Sequence, residues 1–236
     1  MKTAMSSQVI EGSGRGGSRV ELVYSSLRGE IISGRYAPGT PLRTAALAKE
    51  HDVSLSVVRE SLVRLAESGL AESNPNQGFR VVSISRADLL DLNGVRILLE
   101  TEVLRRSIDT GDISWEAEVV STHHVLDSIP VQGANGEASS AEWAEAHARF
   151  HDALGTGCGS PRLISMVRTM RDSAEIYRQL SGPRGQESGR DIRGEHRTIM
   201  ELSTGRDSDG ATAALAQHLQ RTTDLLLSEV LTEDSV

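Results

Sequence analysis

The chain has a single cysteine, Cys158, so it can form no disulfide within itself, and a cytoplasmic location is expected. Aromatic residues make up only 3% of its 236 residues. A core must therefore be built from Leu, Val, Ile and Ala, the material of packed helices rather than of short-stranded sandwiches. Long apolar runs are missing too. None approaches the roughly 18 residues of a membrane span, the N-terminal stretch lacks the apolar centre of a signal peptide, and no membrane role is expected. Catalytic signatures are equally scarce: there is no G-x-S-x-G nucleophile elbow, and Cys158 lies between glycines with no histidine at a patterned spacing.

What is present suits two domains. At 236 residues and 38% hydrophobic, the chain can bury a substantial core. The net charge of −8 is unevenly spread, with 10 Lys and Arg against 8 Asp and Glu in residues 1–84, and 15 against 25 in residues 85–236. The mildly basic first third can supply local phosphate contacts beside an acidic second part. Residues 1–18, ending "EGSGRGGS", are Ser/Gly-rich without apolar period and read as a flexible tail.

From Arg19 a helical period begins, with Val20, Val23, Leu27, Ile31 and Ile32, and "SGRYAPGT" (33–40) stops it with two glycines and a proline. A second short helix is expected over 43–51. A third follows in "DVSLSVVRESLVRLAESGL", with Ser54 as N-cap, Val57, Val58, Leu62 and Leu65 on one face, and Gly69 as its stop. "AESNPNQGFRVVSI" (71–84) then reads as a hairpin, turned at Asn74, Pro75, Asn76 and Gly78. Three helices and a hairpin outline a winged helix-turn-helix over residues 19–84. Six further helical segments, at 86–109, 113–129, 140–155, 160–180, 187–203 and 207–231, predict an all-α bundle over 85–236. The fold class is mainly α.

Two sets of residues carry chemistry. In a helix-turn-helix the N-terminal end of the recognition helix meets base edges and phosphates, and here that end is "SLSVVRES" (54–61). Ser54 and Ser56 offer hydrogen bonds and Arg59 a bidentate fork, with Arg43, Gln77 and Gly78 as further DNA-binding candidates. Taken alone, Ser54 reads equally as a helix cap, and Arg59 as a surface partner of Glu60 or Glu67. The second set starts from "HARFH". His147 and His151 lie four residues apart and differ by only about 40° around a helix, so both point the same way. Such a pair is often no more than packing, but His196 and His218 lie on or beside the apolar sides of later helices, where a bundle could bring all four together.

The stretch "VYSSLRGEIISGRYAPGTPLRTAALAKEHDVSLSVVRESLVRLAESGLAES" resembles the DNA-binding domain of GntR-type bacterial transcription regulators. The second part is similar to the ligand-sensing FCD bundle of the FadR-type branch, through "VRILLE" (95–100), "FH" (150–151), "GEHRTIM" (194–200) and "AQHL" (216–219). The resemblance implies that His147, His151, His196 and His218 stand at the four positions of a metal site, with His147 where relatives usually carry aspartate. It implies, too, that Arg96 stands where relatives contact an effector carboxylate, although an i,i+4 salt bridge to Glu100 accounts for it equally well. Relatives usually carry arginine at the positions of Ala45 and Leu55, and their loss here should weaken phosphate attraction and alter the preferred operator.

An all-imidazole set suits a divalent ion, zinc by default, with nickel, copper or iron as alternatives, and its uncompensated charge favours a carboxylate guest. The expected protein is a homodimeric transcription regulator, a repressor, that binds a palindromic double-stranded DNA operator under control of a small carboxylate. A metal-dependent enzyme and a pure metal sensor are the competing readings. Against the enzyme stands Ala148, which occupies the place of the general-base glutamate in H-E-x-x-H.

Overall fold

The computed structural model describes residues 18–74, 77–131, 141–181 and 190–229. Residues 1–17 of the tail expected over 1–18, Pro75 and Asn76 of the expected turn, most of the loop after 130, residues 187–189 of the expected fifth bundle helix and the end of the last helix beyond 229 lie outside them.

The N-terminal unit contains α1 (Arg19–Ile32), β1 (Pro41–Leu42), α2 (Thr44–Glu50), α3 (Leu55–Glu67), β2 (Ala71–Asn74) and β3 (Gly78–Val81). α1 and α3 begin where side chains satisfy free backbone N–H groups: the Ser18 Oγ accepts from Glu21 N–H at 3.2 Å, and the Ser54 Oγ from Val57 N–H. The same two helices stop at Gly34 and Gly69, whose φ of 77° and 73° an L side chain would resist. Leu27, Ile31, Val58, Leu62, Leu65 and Leu70 are fully or almost fully buried and form the core of this head.

The hairpin has a third strand that the sequence pattern did not announce. β1 pairs antiparallel with the far side of β3, Pro41 opposite Arg80 and Leu42 opposite Phe79, giving the order β1-β3-β2. Two residues, one of them proline, are too short to show an alternating pattern, and their partner lies almost forty residues away.

The bundle comprises α4 (Arg86–Thr110), α5 (Ile113–Ser128), α6 (Ala141–Thr156), α7 (Pro161–Ser181), α8 (Ile192–Thr204) and α9 (Ser208–Glu229). Ser85, Asp112 and Asp191 cap α4, α5 and α8 by accepting from backbone N–H groups in their first turns. Asp191 fixes the start of α8 at 192, later than the 187 expected from apolar period. Phe150, Leu154, Ile199, Leu215 and Leu219 are among its largest buried side chains, together with Leu104 of the long α4.

One helix serves both units. Ile176 of α7 is buried within the head's own core, and Asp172 one turn earlier accepts a two-pronged pair of hydrogen bonds from Arg28 of α1. The hydroxyl of Tyr177 accepts from Ser85 N–H at 3.3 Å and donates to Asp88, which fixes the connection into α4. None of the described helices is long and apolar enough to cross a membrane.

Candidate functional site

The periodicity that makes α6 a helix also sets His147 edge-on against His151, with ring centroids 4.5 Å apart. α8 and α9 bring His196 and His218 against them, at 5.0 Å from His147 and 5.3 Å from His151 respectively. One nitrogen from each of the four imidazoles lies within 4.8 Å of all the others. Trp143, one turn before His147 on α6, stacks on its ring at 4.7 Å, and the edge of Phe150 meets both His151 and His196. Convergence of the four rings is thus a product of core packing, with aromatic walls on two sides.

The electrostatics of the cluster favour neutral imidazole. Burial, reinforced by the neighbouring imidazoles, holds His147 and His151 well below the usual histidine range, and burial with His218 does the same for His196. Neutral rings keep a lone pair for coordination. Both nitrogens of His151 and the Nε2 of His196 are buried without a hydrogen-bond partner, which ordinarily costs about 1–3 kcal/mol per group. A divalent ion of borderline softness would take up these lone pairs, so the donor set fits such an ion.

His218 has a further partner. Its Nδ1 lies 2.8 Å from the Glu195 carboxylate, so the ring proton belongs on Nδ1 and the Nε2 lone pair is left for a ligand. Burial opposes charge on Glu195, but hydrogen bonds from Arg190, His218 and Arg221 outweigh it and hold the carboxyl far below the usual range. Arg190 also donates to the His218 carbonyl at 3.0 Å. Sequence reasoning missed Glu195 and Arg190. Glu195 is adjacent to His196, and a step of one residue turns a side chain about 100° around a helix, so it faces α9 instead of its neighbour's side.

Arg96 pairs with Glu100 through its Nε at 2.9 Å, the i,i+4 bridge, and it also lines the cavity that His147, His151 and His218 face. Glu100 is fully buried. Burial works against its charge, but Arg171 and Arg96 prevail and lower its pKa. Arg171 reaches on to Asp152 at 3.0 Å, so an ionic chain runs from α4 across α7 to the residue beside His151. The remaining histidines stay apart from the cluster: His51 caps α2, His123 packs edge-on against Phe150, and the adjacent His124 is exposed on another side of α5.

At the head, Arg43, Ser54, Leu55, Ser56, Arg59, Gln77 and Gly78 are all exposed. Ser54 is the cap of α3, and its Oγ lies 2.8 Å from the Ser56 Oγ. Arg59 pairs with neither Glu60 nor Glu67. Like Arg43, it makes no hydrogen bond or ion pair among the described residues, whereas Arg28, Arg35 and Arg64 of the same unit are all engaged. In the wing, Gly78 has φ 80° and Gln77 holds the guanidinium of Arg80, a cation that the sequence reading passed over.

Residues 19–81 match the model of bacterial regulatory proteins of the gntR family, and residues 91–221 that of the FCD domain. The chain is similar to the HTH-type transcriptional regulator BphR of Paraburkholderia xenovorans, at 32% identity over 86% of this chain and 83% of that one. It also resembles the HTH-type transcriptional repressor GlaR of Escherichia coli, at 31% identity over 83% and 90%. In fold it is similar to the E. coli protein McbR/YncC, with a TM-score of 0.73 at 21% identity, covering 89% of this chain and 98% of that one. BphR and GlaR are both HTH-type transcriptional regulators, the second a repressor. The chain belongs to the GntR family of bacterial regulatory proteins: it is a DNA-binding transcriptional regulator with a helix-turn-helix head and a helical FCD domain.

Proposed function

We propose that this regulator is a homodimeric repressor whose grip on a palindromic operator is set by a carboxylate metabolite bound beside a divalent metal, zinc in the first instance. The observation that carries the reading is the set of four neutral imidazoles converging within 4.8 Å, with buried nitrogens that no protein group satisfies. His147, His151, His196 and His218 hold the ion. When bound, the ion supplies a Lewis-acidic position that attracts a carboxylate. Glu195 orients His218 by accepting its Nδ1 proton, and Arg96, with its Nε committed to Glu100, offers its remaining guanidinium N–H groups to the carboxylate.

At the other end, Ser56 and Arg59 at the start of α3 enter the major groove, with Ser54 capping the helix and positioning them. Arg43 meets phosphate, and Gln77 and Gly78 bring the wing to the duplex. Two heads of a dimer read two half-sites about one DNA turn apart, so a change in head placement becomes a change in affinity. Likeness to transcriptional repressors, GlaR among them, supports the sign of the regulation.

The test is capture of genomic fragments by the purified protein at about 150 mM salt, with elemental analysis of the same preparation. Recovery of a few palindromic sites by protein that carries about one metal per chain is the expected result. Selective capture unaffected by chelation would remove the metal from the account.

A further inference from the structure

The cavity at the imidazole cluster encloses about 610 Å³, in the range of pockets that take drug-sized ligands and the equivalent of about twenty waters. A two- or three-carbon acid would leave most of it filled with solvent. Its long axis follows from its walls. Arg96 and His218 line it beside the cluster, while Leu89 of α4 and Leu226 of α9 line it seven and eight residues away on the same helices, a helix rise of roughly 11 Å. Leu89 and Leu226 are buried together with Tyr177, which clamps the connection to the head. The lining also includes Ile32 and Arg28, which belong to α1 of the head.

The other cations of the lining already pair with acids: Arg171 with Glu100 and Asp152, Arg168 with Asp152, Arg178 with Glu175, Arg190 with Glu195, and Arg28 with Asp172. A second anionic group on a ligand would have to compete with the acids already in these pairs, whereas an apolar body would meet Leu89, Leu92, Leu226 and Ile32. We propose that the cavity is a subsite for the extended apolar body of a monocarboxylate, and that this body touches the DNA-reading head directly at Ile32, beside the Arg28–Asp172 pair. The inference rests on the carboxylate reading of the imidazole site and adds the size and character of the ligand and the route to the head. A short acid fills only the cluster end and leaves the head untouched. A long one packs against α1 and biases its placement on α7, because only a ligand with different contacts in the two placements can shift between them.

The experiment uses the metal-loaded full chain and a series of straight-chain acids, namely acetate, butanoate, hexanoate and octanoate, with calorimetric binding and operator affinity both measured. Affinity is expected to rise by about fourfold per methylene along the series, from about 0.8 kcal/mol per buried CH₂. Operator affinity should change with the longer acids and not with acetate. Ile32→Ala should weaken octanoate and abolish its effect on operator binding without altering acetate. Ile32→Phe, which keeps the site apolar but shortens the cavity, should exclude octanoate and retain butanoate. Equal affinity for all four acids, or octanoate binding indifferent to both Ile32 variants, overturns the subsite while leaving the carboxylate site in place. Binding of none of them, acetate included, overturns the carboxylate reading itself and the subsite with it.

Discussion

The two ends of the molecule treat charge in opposite ways. In the bundle, the partly buried cations are matched to acids: Arg96 and Arg171 to Glu100, and Arg190 to Glu195. In the head, Arg43 just before α2 and Arg59 in the first turns of α3 are exposed, with no protein partner among the described residues. A buried charge without a counter-charge costs several kcal/mol, so the interior must complete its own pairs. An exposed guanidinium costs almost nothing to leave free and stays available to a phosphate or a base edge. The imidazole cluster departs from this: both nitrogens of His151 and the Nε2 of His196 are buried without partners, as are Asn93 Oδ1, Ser107 Oγ and Asp127 Oδ1 elsewhere in the bundle. An interior that satisfies its arginines but not its histidines is arranged for something to join it.

The largest expected effect lies in the paired interior. Glu100→Gln leaves Arg96 and Arg171 facing a neutral amide and should cost about 3–5 kcal/mol in a denaturant titration at neutral pH. The pH dependence has a fixed sign. A carboxyl with a lowered folded-state pKa stabilises fully above its unfolded value of about 4.3, and the contribution is lost as pH falls through the lower folded-state value. The difference between wild type and Glu100→Gln should therefore shrink below about pH 4. A constant gap at every pH would mean that packing, and not charge, holds the site.

Next in size is His151. His151→Leu should abolish metal binding in equilibrium dialysis and remove metal-dependent stabilisation, about 2.7 kcal/mol when the ion is at a hundred times its Kd. In metal-free protein the same change removes two unsatisfied buried nitrogens, so its thermal midpoint should hold or rise. A marked loss of metal-free stability would show the imidazole to be a packing residue.

At the exposed end the pattern reverses. Arg59→Ala should weaken operator binding by about 1–3 kcal/mol in fluorescence anisotropy while folding stability changes by less than about 0.5 kcal/mol. Smallest is Ser54→Ala. As a cap it should cost about 1 kcal/mol of stability, and if the cap is its main role, operator affinity should fall far less than for Arg59→Ala.

The contrast also explains what could be read from the sequence. Helices with strong apolar period and explicit caps, such as α3 between Ser54 and Gly69, were legible to within a residue or two, because the signals are local. So was the convergence of His147 and His151, which needs only helix geometry. That His196 and His218 join them came through family likeness, since no local rule sets which faces of α8 and α9 meet. β1 was invisible for the same reason that Arg28–Asp172 was: both depend on a partner far along the chain, 144 residues away for the ion pair. Glu195, Arg190 and Arg171 were also missed, because the second layer around a site is chosen by packing and carries no spacing of its own. The sequence also left Arg59 with two candidate acidic partners, and only the fold shows it paired with neither.

The most direct test of the account is the affinity of selected operator DNA for metal-loaded and metal-stripped protein, wild type and His151→Leu, with and without octanoate, at about 150 mM salt. If the imidazole cavity controls the head, the acid shifts the operator Kd by roughly 5- to 150-fold in metal-loaded wild type and leaves the other three preparations unmoved. One operator Kd across all eight conditions would contradict it, and the bundle would then have no hold on the DNA.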